Sequence, residues 1–228
     1  MKKISISIIC LLTTAWVSAM DANLELLSGD YNFIQDPALA EIKIDFSKAV
    51  VVEFGKKGKV DKLYGSVDEY NQIQGQDWVE DWPAVQKVAC LWASKFFNKK
   101  GLQTISVSKE DAALMSADEI KKHKKLGNII PAQDDVIKYT IALTIDTVDF
   151  GNASGTAFTS ALIKEIAQTG GTIYIGSCVV TNNLTGEVVS NFNFDDCKGK
   201  GGPTQRNRVV NVLQEFFSAV MKASKAKK

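Results

Sequence analysis

Tyr139-Thr140-Ile141-Ala142-Leu143-Thr144-Ile145 sets Tyr139, Ile141, Leu143 and Ile145 against Thr140, Ala142 and Thr144, the two-residue period of a strand with one buried face. The parity shifts at Val148 and Phe150 before Gly151 stops the run, as a β-bulge would cause. Downstream, Thr172 to Thr181 and Glu187 to Phe194 are joined by Asn182-Asn183-Leu184-Thr185-Gly186. They predict a hairpin in which Gly186 is free to take a positive φ.

Upstream, Ile42, Ile44 and Phe46 alternate with Lys43 and Asp45, and Ala49 to Phe54 follows as a continuous β-branched run closed by Gly55 and Gly58. The first predicts a strand with one wet face, the second a central strand covered on both faces. Lys56 to Gln76 is polar and carries Gly65 and Gly75; it reads equally as a long loop or as a loose helix around Val67 to Ile73. Asp81 and Pro83 suit a helix start. Val85, Val88, Ala89, Trp92 and Phe96 then recur at helical spacing up to the basic exit Lys99-Lys100-Gly101, so they predict a buried stripe. Leu102 to Val107 predicts a short strand, and Ser108 to Asp111 and Ser116 to Glu119 resemble capping boxes that start helical turns ending near Gly127. Thr159 to Gln168 favours a helix, with an edge strand as the alternative. Pro203 and Thr204 open a last amphipathic helix with Val209, Leu213, Phe216, Phe217 and Val220 on its buried side, and the lysine-rich tail from about 222 reads as frayed. The order of elements predicts an α/β (α+β) fold, a mixed twisted sheet with helices packed on it, in two layers or three.

Lys2 and Lys3, the apolar run Ile4 to Val17 and the small residues of Val17-Ser18-Ala19 form the pattern of a secretory signal peptide over residues 1–19. The run is interrupted by Ser5, Ser7, Thr13 and Thr14 and falls short of the roughly 20 apolar residues of a membrane-spanning helix. Cleavage after Ala19 would leave residues 20–228 as a single globular domain without a transmembrane segment, exported to the periplasm or beyond the cell; the Met-Lys-Lys start has a bacterial look. The whole chain carries a formal charge of +1, so no global field recruits nucleic acid or an anionic membrane. Cys10 follows Ile8-Ile9 rather than a small residue, which disfavours lipidation. Cys90, Cys178 and Cys197 remain, an odd set that reads as buried thiols rather than a disulfide scaffold. A symmetric hairpin would put Cys178 opposite about Asn191, too far from Cys197 for a cross-strand bridge.

The chain is poorly equipped for catalysis. His123, its only histidine, lies in Lys121-Lys122-His123-Lys124-Lys125, which reads as a solvated basic helix face rather than a triad member. No cysteine pair has zinc spacing, so neither metal nor cofactor is expected. Asp134-Asp135 and Asp195-Asp196 fit solvated turns, and no carboxylate pair can be selected as catalytic. Two clusters are candidate binding sites. Trp78, Asp81 and Trp82 set indole beside carboxylate, a pairing that can stack on a sugar and bind its hydroxyls, although packing against the following helix is the simpler reading. Lys198, Lys200 and Thr204, in a glycine-rich stretch before a helix, offer charge and backbone N–H groups to an anion, although Pro203 removes one donor and the Walker spacing is missing.

The residues Ile42 to Lys48, Phe54-Gly55-Lys56 and Trp78 to Trp82 resemble a group of uncharacterised exported bacterial proteins. More remotely, the order strand, helix, strand and hairpin, above all Cys178-Val179-Val180-Thr181 with Thr185-Gly186-Glu187-Val188-Val189, is similar to the amino-terminal TolB domain and the curli-secretion CsgG globular domain. That resemblance implies an accessory or assembly role in the cell envelope and brings no catalytic residue with it; an exported envelope protein that acts by binding another protein is the leading reading. A glycan or small-ligand-binding protein is the alternative, and a hydrolase with unidentified carboxylates the third reading.

Overall fold

The computed structural model describes residues 22–54, 59–74, 82–99, 103–105, 107–151, 171–200 and 205–226. In chain order the strands are β1 (Asn23–Gly29), β2 (Ala40–Asp45), β3 (Val50–Phe54), β4 (Val60–Tyr64), β5 (Thr104–Ile105), β6 (Tyr139–Asp149), β7 (Thr172–Asn182) and β8 (Val188–Lys198). The helices are α1 (Val67–Gln74), α2 (Trp82–Lys99), α3 (Lys109–Leu114), α4 (Ala117–Lys125) and α5 (Gln205–Ala226), with one 3-10 turn at Asn32–Gln35. The fold is of the mixed α/β kind that the sequence predicts, built on one sheet.

β6 organises that sheet. On one side it runs antiparallel to β7, which pairs with β8, which pairs with β1. On the other side it runs parallel to β2 from Ala40↔Tyr139 to Asp45↔Thr144, and then to β3 at Val50↔Thr147 and Val51↔Val148. Thus β2 and β3 lie end to end along the same edge of β6, separated by a turn in which Ala49 N–H donates to the Phe46 carbonyl at 2.9 Å. β4 extends the sheet from β3, and β5 extends it from the first residues of β2. The bulge foreseen in β6 is present as register shifts around Thr147.

The register assembles one apolar face. Leu143, Cys178, Phe192 and Leu26 form one cross-strand row, and Ile145, Gly176, Phe194 and Leu24 the next. α2 and α5 both pack on this face and on each other. Phe217 meets Phe97 of α2 at 4.0 Å between ring centroids, Phe216 meets Phe194 at 4.4 Å, and the two α5 rings lie 4.9 Å apart. A side chain at Gly176 would collide with the Phe194 ring, so the large residue of β8 requires the small one of β7. The opposite face presents Thr140, Ala142, Thr144, Ser177, Val179, Asn191 and Asn193, half-buried or exposed. The sheet and its two long helices therefore form two layers.

Several expectations are corrected here. Trp92 is 42 % exposed, and the buried side of α2 is Ala89, Ala93 and Phe97; small residues let that helix approach β2 closely. Lys56 to Gln76 contains strand β4 as well as helix α1, and β1 is a further strand at the opposite edge. Cys178 faces Phe192 rather than Asn191, because the hairpin shifts register between Val180 and Thr181. α5 continues to Ala226, with buried Ser224 accepting from Gln35 Nε2, where a frayed tail was expected. Both capping starts are realised: Ser108 accepts from Asp111 N–H, and Ser116 and Glu119 form a reciprocal box. The three thiols are unbridged, and burial pushes Cys90 up to about 11 and Cys197 to about 12, the inert condition expected of them. The proposed helix at Thr159 to Gln168 lies outside the described residues.

Asp36 pins the start of β2 to the start of β6. Its carboxylate accepts from Lys138 Nζ at 2.7 Å, Tyr139 Oη at 2.8 Å and Ala38 N–H at 2.9 Å. The Lys138 bond is the main cause holding this carboxyl below its ordinary range. A carboxyl with a depressed folded pKa stabilises fully above its unfolded value and loses that contribution as pH falls through the folded one. Asp36→Asn is therefore expected to lower the melting temperature at neutral pH, with a deficit that shrinks as pH falls below about 4; a deficit independent of pH would contradict the assignment.

Candidate functional site

The residues nominated from sequence do not form one described site. Trp78, Asp81 and Thr204 lie outside the described residues, and Trp82 enters only as the first residue of α2. Lys198 closes β8 with its Nζ 3.0 Å from Asp196 Oδ2, an exposed ion pair. Lys200 is exposed, and its carbonyl accepts from Asn211 Nδ2 at 3.1 Å, tying the strand exit to α5. His123 is half-buried, with its Nδ1 turned inward, while the lysines around it are exposed.

The densest group of polar side chains sits instead at the carboxyl ends of the parallel strands β3 and β6, the end at which open α/β sheets commonly bind ligands. Glu53 of β3 accepts from Tyr64 Oη at 3.3 Å and lies 3.5 Å from Lys62 Nζ, both on β4. Tyr64 packs edge-on against Tyr70 of α1 at 5.0 Å, and Tyr70 against Phe150 at 5.4 Å. Arg208 of α5 is buried and donates through Nε to the Phe150 carbonyl. Asp149 accepts from Gly151 N–H at 2.7 Å. Burial raises Asp149 and the Glu53 charge raises it further, against the Gly151 bond and the Arg208 charge. Burial first, then the Glu53 charge, pushes Tyr70 up to about 12.

Beside this group, Phe46, Val148, Phe150, Ile173, Val209 and Val212 line a shallow cleft with room for about one water molecule, so it admits no sugar chain. The cluster is better suited to holding α1 and α5 against the ends of β3 and β6 than to enclosing a substrate. No group of His, Cys, Asp and Glu among the described residues is arranged to hold a metal ion.

The sheet edges are the other candidate surface. β5 has two residues, and Ile105 also bridges Ile129. β1 is interrupted by a register shift between Leu26 and Ser28. β4 pairs only with β3 among the described residues, and it leaves Val60 54 % and Leu63 66 % exposed. A strand with one unpaired edge and exposed apolar side chains is a template for another chain. Asp61 and Lys62, also exposed, moderate that edge. No protein-family model matches the chain, and no curated protein is similar enough to count as a match. No helix among the described residues is long and apolar enough to cross a membrane.

Arg208 went unread in the sequence although a signal was present. It stands four residues before Val212 and eight before Phe216, on the buried stripe of α5, where an arginine demands a partner. Removing it leaves the Phe150 carbonyl without that donor and Asp149 without a nearby cation. Arg208→Met is expected to cost about 2–3 kcal/mol at neutral pH. Without the cation the folded pKa of Asp149 rises further, so the variant's deficit should shrink as pH falls through that value. Urea unfolding of both proteins across the acid range measures this; a constant deficit would contradict the coupling.

Proposed function

We propose that this chain is an exported accessory protein of the bacterial cell envelope that acts by binding another protein, with the free edge of β4 as its docking strand. The observation that carries the reading is the exposure of Val60 and Leu63 on a strand that, among the described residues, is paired from one side only. Main-chain hydrogen bonds along such an edge supply affinity, and alternate side chains supply selectivity. The resemblance to the TolB and CsgG domains rests on the order strand, helix, strand, hairpin, which corresponds to β2, α2, β6 and β7–β8 here, and it supports an accessory role over a catalytic one. The small cleft and the single inward-turned histidine add nothing to a hydrolase reading.

A photo-reactive residue substituted for Leu63, and separately for Leu184 in the β7–β8 turn, tests this in intact native envelopes. Both positions are more than 60 % exposed, so accessibility alone treats them alike. A discrete adduct from position 63, absent from position 184 and lost from a companion position on β4 when Leu63→Lys is introduced, is the expected result. No adduct, or the same adducts from both positions, would overturn the reading. Leu63→Lys should leave the melting temperature nearly unchanged, since surface substitutions usually fall within about 0.5 kcal/mol.

A further inference from the structure

At the end of the sheet away from β4, α2 and α4 build a surface of different chemistry. Lys121, Lys122, Lys124 and Lys125 of α4 are all exposed, while Ile120 and His123 form its half-buried side. After α4 the chain turns at Gly127, whose φ is +81°, and meets α2: Asn98 Nδ2 donates to the Gly127 carbonyl at 3.2 Å. The Lys95 stem also borders Gly127. Lys95 Nζ stands 4.4 Å over the ring of Trp92. Trp92 and Leu126 are 42 % and 44 % exposed, and Lys99 in the last turn of α2 is exposed as well. None of the α4 lysines forms an ion pair within the described residues. The acids of α4, Asp118 and Glu119, lie in its first turn, where Glu119 is engaged by the Ser116 cap.

We propose that this surface docks the protein on an anionic lipid bilayer, with Lys95, Lys99 and the four α4 lysines on phosphate headgroups and Trp92 and Leu126 in the interfacial layer. Lysines spread over one helix and the end of another match a plane of phosphates rather than a single anion. An exposed indole and leucine among them match the apolar layer beneath. The near-neutral total charge gives no long-range attraction, so recognition is confined to contact range, within about 10 Å at ordinary ionic strength. β5 pairs with the first residues of β2, whereas β4 pairs with β3 farther along β6. The α2–α4 surface therefore lies near the start of β6, and the β4 strand near its end.

The test is co-sedimentation of residues 20–228, which hold every described element, with phosphatidylcholine vesicles carrying about one-third phosphatidylglycerol. Neutral vesicles, inorganic phosphate as competitor and polyglutamate as an acidic polymer are the controls. Each lysine near such a surface contributes about fivefold. Binding to the anionic vesicles alone is expected, undiminished by millimolar phosphate. It should be weakened more than tenfold by Lys121→Glu with Lys125→Glu, and severalfold by Trp92→Ala. Lys59→Glu, at the β4 end, and Leu63→Lys should bind as the parent does, so this proposal and the docking strand fail separately. Unchanged melting temperatures identify the variants as folded, and Trp92→Phe, which keeps an aromatic at the surface, should retain most binding. Failure to bind anionic vesicles, equal loss with Lys59→Glu, or equal capture by polyglutamate with no dependence on Trp92 would overturn it, the last in favour of an acidic protein partner.

Discussion

The contact of Phe216 and Phe217 with Phe194 on the sheet side and Phe97 on the α2 side, at 4.0 to 4.9 Å between centroids, is the interaction on which the rest depends. It joins α5, α2 and the antiparallel half of the sheet in one buried cluster, and it works because large and small residues face one another. Gly176 leaves room for the Phe194 ring, and Ala89 and Ala93 bring α2 down onto the sheet. Cores at crystal-like density are intolerant of changes in such pairs. Both long helices lie on one face, and the opposite face carries the threonines, serine and asparagines of β6, β7 and β8.

Among the described residues the sheet offers its edges and ends for recognition. The β1 edge is broken by a bulge and the β5 edge by the bridge to Ile129, devices that discourage pairing with foreign strands. Among the described residues, β4 is guarded by the charged Asp61 and Lys62. The polar cluster of Glu53, Tyr70, Asp149 and Arg208 secures the root of that strand, since it binds β3, α1 and α5 at the end of the sheet where β4 attaches. At the other end, Asp36 holds β2 to β6, and α4 turns its lysines outward. The two proposed surfaces lie toward opposite ends of β6, so an adaptor reading would use both at once.

Much of the frame was legible because it follows local periodicity. The alternation of Tyr139 to Ile145, the parity shift before Phe150, the serine caps at 108 and 116 and the apolar stripe of α5 all reappear as read. The misses have physical causes. β1 and β4 are edge strands, and β4 buries only Tyr64, so Val60 to Tyr64 carries no two-residue pattern. Trp92 has the helical spacing of a buried stripe, but the approach of α2 is set by Ala89 and Ala93. Arg208 is a charged residue on an apolar stripe, so hydrophobic periodicity does not pick it out. The hairpin register slipped by one residue because a turn residue's position does not reveal the shift beside Thr181. Of the candidate sites, Trp78, Asp81 and Thr204 lie outside the described residues, whereas the α4 lysines were visible as a charge run. Their neighbourhood with Trp92 and Leu126 depends on tertiary contact and could not be.

Residue-resolved amide hydrogen exchange of the full chain would test the central claim, that β4, paired among the described residues only with β3, ends the sheet with a free edge. The amides of β6, β7 and β8 should exchange only through global unfolding, while every second amide of β4, those turned away from β3, should exchange orders of magnitude faster. Uniform protection along β4, equal to that of β6, would mean that its outer edge is already paired, and the docking-strand account would be wrong.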